Sequence, residues 1–164
     1  MASEHGVKFG EHPLVCRFMK GVFELRPALP NYTEVWDVKV VLDYINAFKP
    51  LETIKLKELT LKLSMLLCLL TRQRCQTIHN INIDYMKEME TGYRITIREK
   101  LKQTRVGKHL EPIELLRFRE DPQLCVIEHL QEYLKRAKDV RFDNKQLFLS
   151  YTKPHKPVSK DTIA

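Results

Sequence analysis

Long apolar runs are missing from this sequence. The longest, Met65 to Leu70, falls far below the roughly 20 residues that a membrane-crossing helix needs. No leader is expected either, because the opening MASEHGVKFGEH is polar and has no apolar stretch of the signal-peptide kind. The expectation is a soluble, intracellular protein. Cysteine is scarce: Cys16, Cys68, Cys75 and Cys125 are the four present, and no two stand in a C-x-x-C spacing. That argues against a zinc ribbon or a disulfide framework. Cys68 and Cys125 fall on apolar helical faces and read as small buried hydrophobes with reduced thiols. No internal repeat or low-complexity tract appears.

What is present is ordinary in bulk and uneven in detail. The 164 residues, 43% hydrophobic and 30% charged, suffice for one domain with a real core, or one domain plus an appended arm. A net charge of +7 favours a polyanionic partner. Most of the excess is local. Between Tyr93 and Arg119 eight Lys or Arg (Arg94, Arg98, Lys100, Lys102, Arg105, Lys108, Arg117, Arg119) face three acids (Glu99, Glu111, Glu114). Such a concentration reads as a footprint for a phosphate backbone, or more plainly as a solvated basic surface.

Apolar spacing orders the chain. His12 to Leu25 carries a helical apolar face (Leu14, Val15, Phe18, Met19, Val22, Phe23) that needs a partner, as if a preceding segment covered it. Two prolines then break it. A helix opens near Asn31 or Thr33, with Glu34 completing a capping box, and puts Trp36, Val40, Tyr44 and Phe48 on its core face. The central helix, Lys55 to Leu70, presents a leucine stripe with Lys55, Lys57 and Lys62 placed off it. A first strand follows near Asp84 to Lys87. Tyr93, Ile95 and Ile97 then alternate with Arg94, Thr96 and Arg98, a period-two strand with one basic face. Leu110 to Leu115 returns as an edge strand, where Pro112 is tolerated. Asp121-Pro122 caps a last amphipathic helix through Val126, Leu130, Leu134 and Ala137. Leu147 to Leu149 is a short apolar run, Tyr151 reads as a strand residue, and Ser159 as the N-cap of a helix just begun. The fold class is α+β, mainly helical, with a small three-stranded antiparallel sheet.

Chemistry concentrates in Thr71 to Leu115. Arg74 stands at the mouth of a helix leaving the buried leucine rod, and Lys102 sits in the turn of a later hairpin. A guanidinium fork and a compact ammonium can hold one phosphate from two sides, the ammonium being able to give up a proton. The plainer reading makes Arg74 a helix-capping residue.

The order of elements, with TRQRCQTIHNINID, LKQTRVGKHLEPIEL and the ending KPHKPVSKDTIA, resembles the tyrosine recombinase (phage-type integrase) catalytic domain. The wording looks closest to its transposon-derived, DIRS-like branch. The resemblance covers Thr33 to Ala164 and implies a lead-in helix and linker over 1–31 and the N-terminal part of a catalytic domain over 32–164. It implies attack of a tyrosine hydroxyl on a DNA phosphodiester, with no cofactor or metal, because an arginine clamp supplies the charge. Arg74 then matches the first catalytic arginine and Lys102 the hairpin general acid. Arg72, Arg98, Lys100, Arg105, Lys108 and His109 would contact DNA. Double-stranded DNA is the implied partner, with self-association on DNA and residence in the nucleus.

Three departures stand out. Arg72 replaces the glycine of the family's Thr-Gly-x-Arg and competes with Arg74 for the phosphate. Thr77 stands where an acid is usual. The His-x-x-Arg motif is missing, since Lys-Pro-Val follows His155, and no nucleophilic tyrosine follows it. The sequence as it stands is therefore expected to bind DNA without cleaving it. The alternative is a non-catalytic DNA-binding or protein-interaction module domesticated from a transposon.

Overall fold

The computed structural model describes residues 3–4, 7–26, 36–101, 110–159 and 162. The chain divides into two units, Met1–Asp37 and Val38–Ala164. In the first, short strands β1 (Ser3–Glu4) and β2 (Val7–Lys8) pair antiparallel. Helix α1 (Pro13–Leu25) follows, with proline in the first turn and His12 Nδ1 accepting from the Leu14 N–H at 3.3 Å. The expected apolar face exists: Leu14, Phe18, Met19, Val22, Phe23 and Leu25 are all exposed.

The second unit opens with α2 (Val38–Asn46). Its core face is not the expected row. Val40 and Tyr44 are about two-thirds exposed and Trp36, just ahead of the helix, is 56% exposed. Ile45 is buried instead, with Val41, Leu42 and Phe48 packed on the same core. The reason is geometric, because each step of four residues overshoots a full turn by about 40°. A strict every-fourth row therefore winds away from the core, whereas Val41, Leu42, Ile45 and Phe48 keep the usual stripe. The capping box at Asn31 and Glu34 lies outside the described residues.

Helix α3 (Leu56–Thr71) is the central rod, with Leu59, Leu63, Leu66 and Leu67 buried. At its start Glu58 Oε2 accepts from the Lys55 N–H at 2.9 Å. Lys62 was expected on the solvent side and is instead fully buried, its Nζ donating to the Phe48 carbonyl at 3.0 Å. At the other end the Arg72 N–H returns to the Cys68 carbonyl at 3.1 Å, and Arg72 turns left-handed at φ 53°. Helix α4 (Cys75–His79) follows at once.

Strands β3 (Met86–Met89), β4 (Gly92–Ile95) and β5 (Ile113–Leu116) form one antiparallel sheet in that order. The expected alternation holds: Ile95 and Ile97 are buried, Arg94, Thr96 and Arg98 exposed. Met86, Ile95 and Ile113 line up across the inward face. Gly92 is required here, since a Cβ on it would lie 1.9 Å from the Leu115 carbonyl oxygen.

Asp121-Pro122 caps a 3-10 turn, Pro122–Leu124, with Asp121 Oδ1 accepting from the Gln123 N–H at 2.9 Å. Only then does α5 (Val126–Arg141) begin; it packs on α3 and buries Val126, Ile127, Leu130, Tyr133 and Ala137. Leu147, Phe148 and Leu149 are buried, and the Leu149 N–H donates to the Tyr133 hydroxyl at 3.0 Å. Tyr151 is not in a strand. It sits in the bend between the bridged residues Leu149 and Pro157. Of the helix expected after Ser159, only Thr162 is described, its N–H bonding the Ser159 carbonyl at 3.1 Å.

Candidate nucleic-acid interface

Arg74 heads α4, and its carbonyl accepts from the Thr77 N–H at 2.7 Å and the Ile78 N–H at 3.3 Å. Thr77 and Ile78 are buried, so the backbone of this turn is held from below while the Arg74 side chain is exposed. Arg72 is exposed beside it. Among the described residues neither arginine forms an ion pair. Thr71 stiffens the same turn, its hydroxyl donating to the Leu67 carbonyl at 2.7 Å and accepting from the Gln73 N–H at 3.3 Å. At the end of α4, His79 Nε2 donates to the Val158 carbonyl at 3.0 Å, tying this region to the C-terminal segment.

Other expected contacts are distributed differently. The Arg98 guanidinium lies 4.1 Å from the centroid of the Tyr85 ring, a cation–π contact that leaves its charge at the surface. Lys100 is exposed. Lys102, Arg105, Lys108 and His109 lie outside the described residues, and with them the meeting of Arg74 and Lys102 on one phosphate. Two further cations of the basic stretch are paired: Arg94 with Glu114 at 3.8 Å, across the strands, and Arg117 with Glu128. Of the described cations of the stretch, these two have their charge partly offset.

A second polar cluster escaped the sequence reading. Lys62 of α3 and His129 of α5 are both fully buried. Burial lowers the Lys62 ammonium from its ordinary value of 10.5, nearby Lys49 adds to the fall, and Asp121 opposes it. Burial also lowers His129 from 6.5, with the Lys62 charge adding, while the Cys125 carbonyl at 2.8 Å from Nδ1 and Glu128 work the other way. Among the described residues, His129 Nε2, Gln123 Oε1 and Asn46 Oδ1 are buried without a hydrogen-bond partner. The signal was available: Lys62 lies three residues after Leu59 and four before Leu66, within the leucine stripe.

An open cleft of about 510 Å³ at the end of α5 is lined by Phe142, Lys145, His155 and Lys156 among others, and holds none of the expected site residues. Among the described residues, no group of three or more His, Cys, Asp or Glu is placed to hold a metal ion, and no helix is long and apolar enough to cross a membrane. No family model matches the chain, and no curated protein matches it.

Proposed function

We propose that this chain is a DNA-backbone-binding part of a tyrosine recombinase-like catalytic domain, with Arg72 and Arg74 as phosphate contacts. The observation that carries the reading is the turn after α3. A helix with a buried leucine face ends in a backbone-anchored reversal, and two exposed guanidinium groups leave it with no acid paired to them among the described residues. Exposed guanidinium groups on an anchored backbone suit phosphate oxygens, which they can grip bidentately.

The backbone at residue 72 supports the family resemblance. The motif Thr-Gly-x-Arg has glycine at this place, and Arg72 adopts the left-handed conformation that glycine enters without steric cost. The order of elements also fits: a central helix, an arginine-headed helix, a three-stranded antiparallel sheet and a further helix. On this reading Arg98 and Lys100 extend the phosphate track, Lys102 is the hairpin general acid of complete relatives, and DNA in the nucleus is the partner. Strand cleavage needs a tyrosine nucleophile and a second arginine in addition.

Binding to duplex DNA measured across a salt series tests the proposal. The logarithm of the affinity should fall linearly with the logarithm of salt, and Arg74→Ala should reduce that slope by about one. An affinity indifferent to salt would remove the phosphate footprint and the function with it.

A further inference from the structure

We infer that the open cleft at the end of α5 is a nucleotide-binding site, in which Phe142 stacks on the base and Lys156 holds the phosphate. Two walls form it. One is the turn leaving α5, from Arg141 to Lys145, and the other is the turn from Pro154 to Pro157. Its volume of about 510 Å³ falls within the range of small-molecule sites, roughly 300–1,000 Å³.

Both walls are pinned to the same buried run, Leu147 to Leu149. On one side the buried Arg141 commits its guanidinium to the Gln146 and Leu147 carbonyls. On the other the Ser150 N–H donates to the Lys156 carbonyl at 2.7 Å and the Val158 N–H to the Phe148 carbonyl at 3.3 Å, while Leu149 bridges to Pro157. The cleft is therefore preformed, and a ligand entering it has little of the chain to order.

Two residues of the lining hold backbone conformations that bulky side chains rarely adopt: Phe142 at φ 48° and His155 at φ 54°. Conformations of this kind collect at ligand clamps. At Phe142 the result is an aromatic ring 86% exposed, the most exposed large apolar side chain among the described residues. Such a ring offers a face on which a base can stack. His155 Nδ1 donates to the Ser150 carbonyl at 2.9 Å, which fixes the ring and leaves Nε2 for a ligand.

The cations of the lining divide by their partners. Arg141 is committed to carbonyls, and Lys145 lies 3.4 Å from Asp84. Lys156 is exposed and forms no ion pair among the described residues. Against these three cations the lining sets one acid, Asp143. An aromatic face beside an unpaired ammonium matches a base joined to a phosphate better than it matches a bare anion or an apolar molecule. A free nucleotide and a nucleotide within a single strand both carry that chemistry. The cleft shares no residue with the Arg72–Arg74 turn, so the inference does not rest on the duplex-binding reading.

The experiment titrates the isotope-labelled full chain with dAMP, deoxyadenosine, inorganic phosphate and an oligodeoxyadenylate, followed by amide NMR shifts. The amides of Phe142, Asn144 and His155 should move first, and dAMP should bind about tenfold more tightly than deoxyadenosine or phosphate. Phe142→Ala should weaken dAMP about tenfold, and Phe142→Tyr, which keeps the ring, should retain it. Lys156→Ala should bring dAMP down to the affinity of deoxyadenosine. Shifts outside the cleft that match the parent show each variant to be folded. Tighter binding of the oligodeoxyadenylate than of dAMP assigns the site to single strands, and equal or weaker binding assigns it to the free nucleotide. Cleft amides that stay in place with dAMP overturn the site. So does a dAMP titration that Phe142→Ala leaves unchanged, or one that inorganic phosphate reproduces in full.

Discussion

Lys62→Met removes an ammonium from the middle of the α3–α5 packing and keeps most of the volume. Among the described residues Lys62 has one hydrogen bond, to the Phe48 carbonyl at 3.0 Å, and one opposing charge in Asp121, against Lys49 on the unfavourable side. Burying a charge with so little compensation costs several kcal/mol, and apolar replacement of buried charges is often neutral or stabilising by 1–4 kcal/mol, roughly. The lost bond to Phe48 takes back about 1 kcal/mol. The net expectation is a variant at least as stable as the parent at neutral pH, by about 1 kcal/mol. The pH dependence sharpens this. Because the folded Lys62 titrates below 10.5, the unfolded chain holds more protons as pH approaches 10.5, so the parent gains stability towards alkaline pH. Because the folded His129 titrates below 6.5, the parent also loses stability as pH falls under 6.5. In Lys62→Met the alkaline gain should vanish and the acid loss should soften, since the Lys62 charge no longer opposes the His129 proton. Urea unfolding from mildly acid to mildly alkaline pH reads both limbs. A variant weaker by more than about 2 kcal/mol, with the parent's pH profile intact, would mean that the ammonium is a net stabilising tie.

Two further outcomes follow from backbone geometry. Arg72→Gly relieves the left-handed conformation at φ 53° and should raise stability by about 0.5–1 kcal/mol in a thermal melt while lowering DNA affinity; a lower melting temperature would contradict the strain. Gly92→Ala drives a Cβ to 1.9 Å from the Leu115 carbonyl and should cost at least about 3 kcal/mol, since β4 and β5 must part; near-parent stability would place that strand pairing elsewhere.

The sequence carried the fold best where its signal was redundant. The leucine stripe of α3 and the Val126, Leu130 and Ala137 row of α5 announce two helices and the face each buries. The alternation from Tyr93 to Arg98 announces β4 and which side of it is wet. Rules went wrong where tertiary packing chose between near-equal options. Along α2, two apolar rows compete, and the one containing Ile45 took the core while Val40 and Tyr44 stayed outside. Lys62 was read as solvated because charge outweighed position. Asp121-Pro122 has the composition of a helix start, but the chain inserts a 3-10 turn before α5. At the candidate site, the arginine at the head of α4 was legible from the end of the apolar run. The cross-strand pairing that neutralises Arg94 was not, since it depends on a register with Glu114 that no local spacing encodes.

A double-mutant cycle between Arg74 and Lys102, read as affinity for duplex DNA, bears most directly on the proposed function. Two cations gripping one phosphate lose their effect together. Arg74→Ala and Lys102→Ala should each weaken binding, and the pair should fall short of additivity by more than about 0.5 kcal/mol. Strict additivity, or no effect from either change, would separate the two residues and contradict the shared phosphate site.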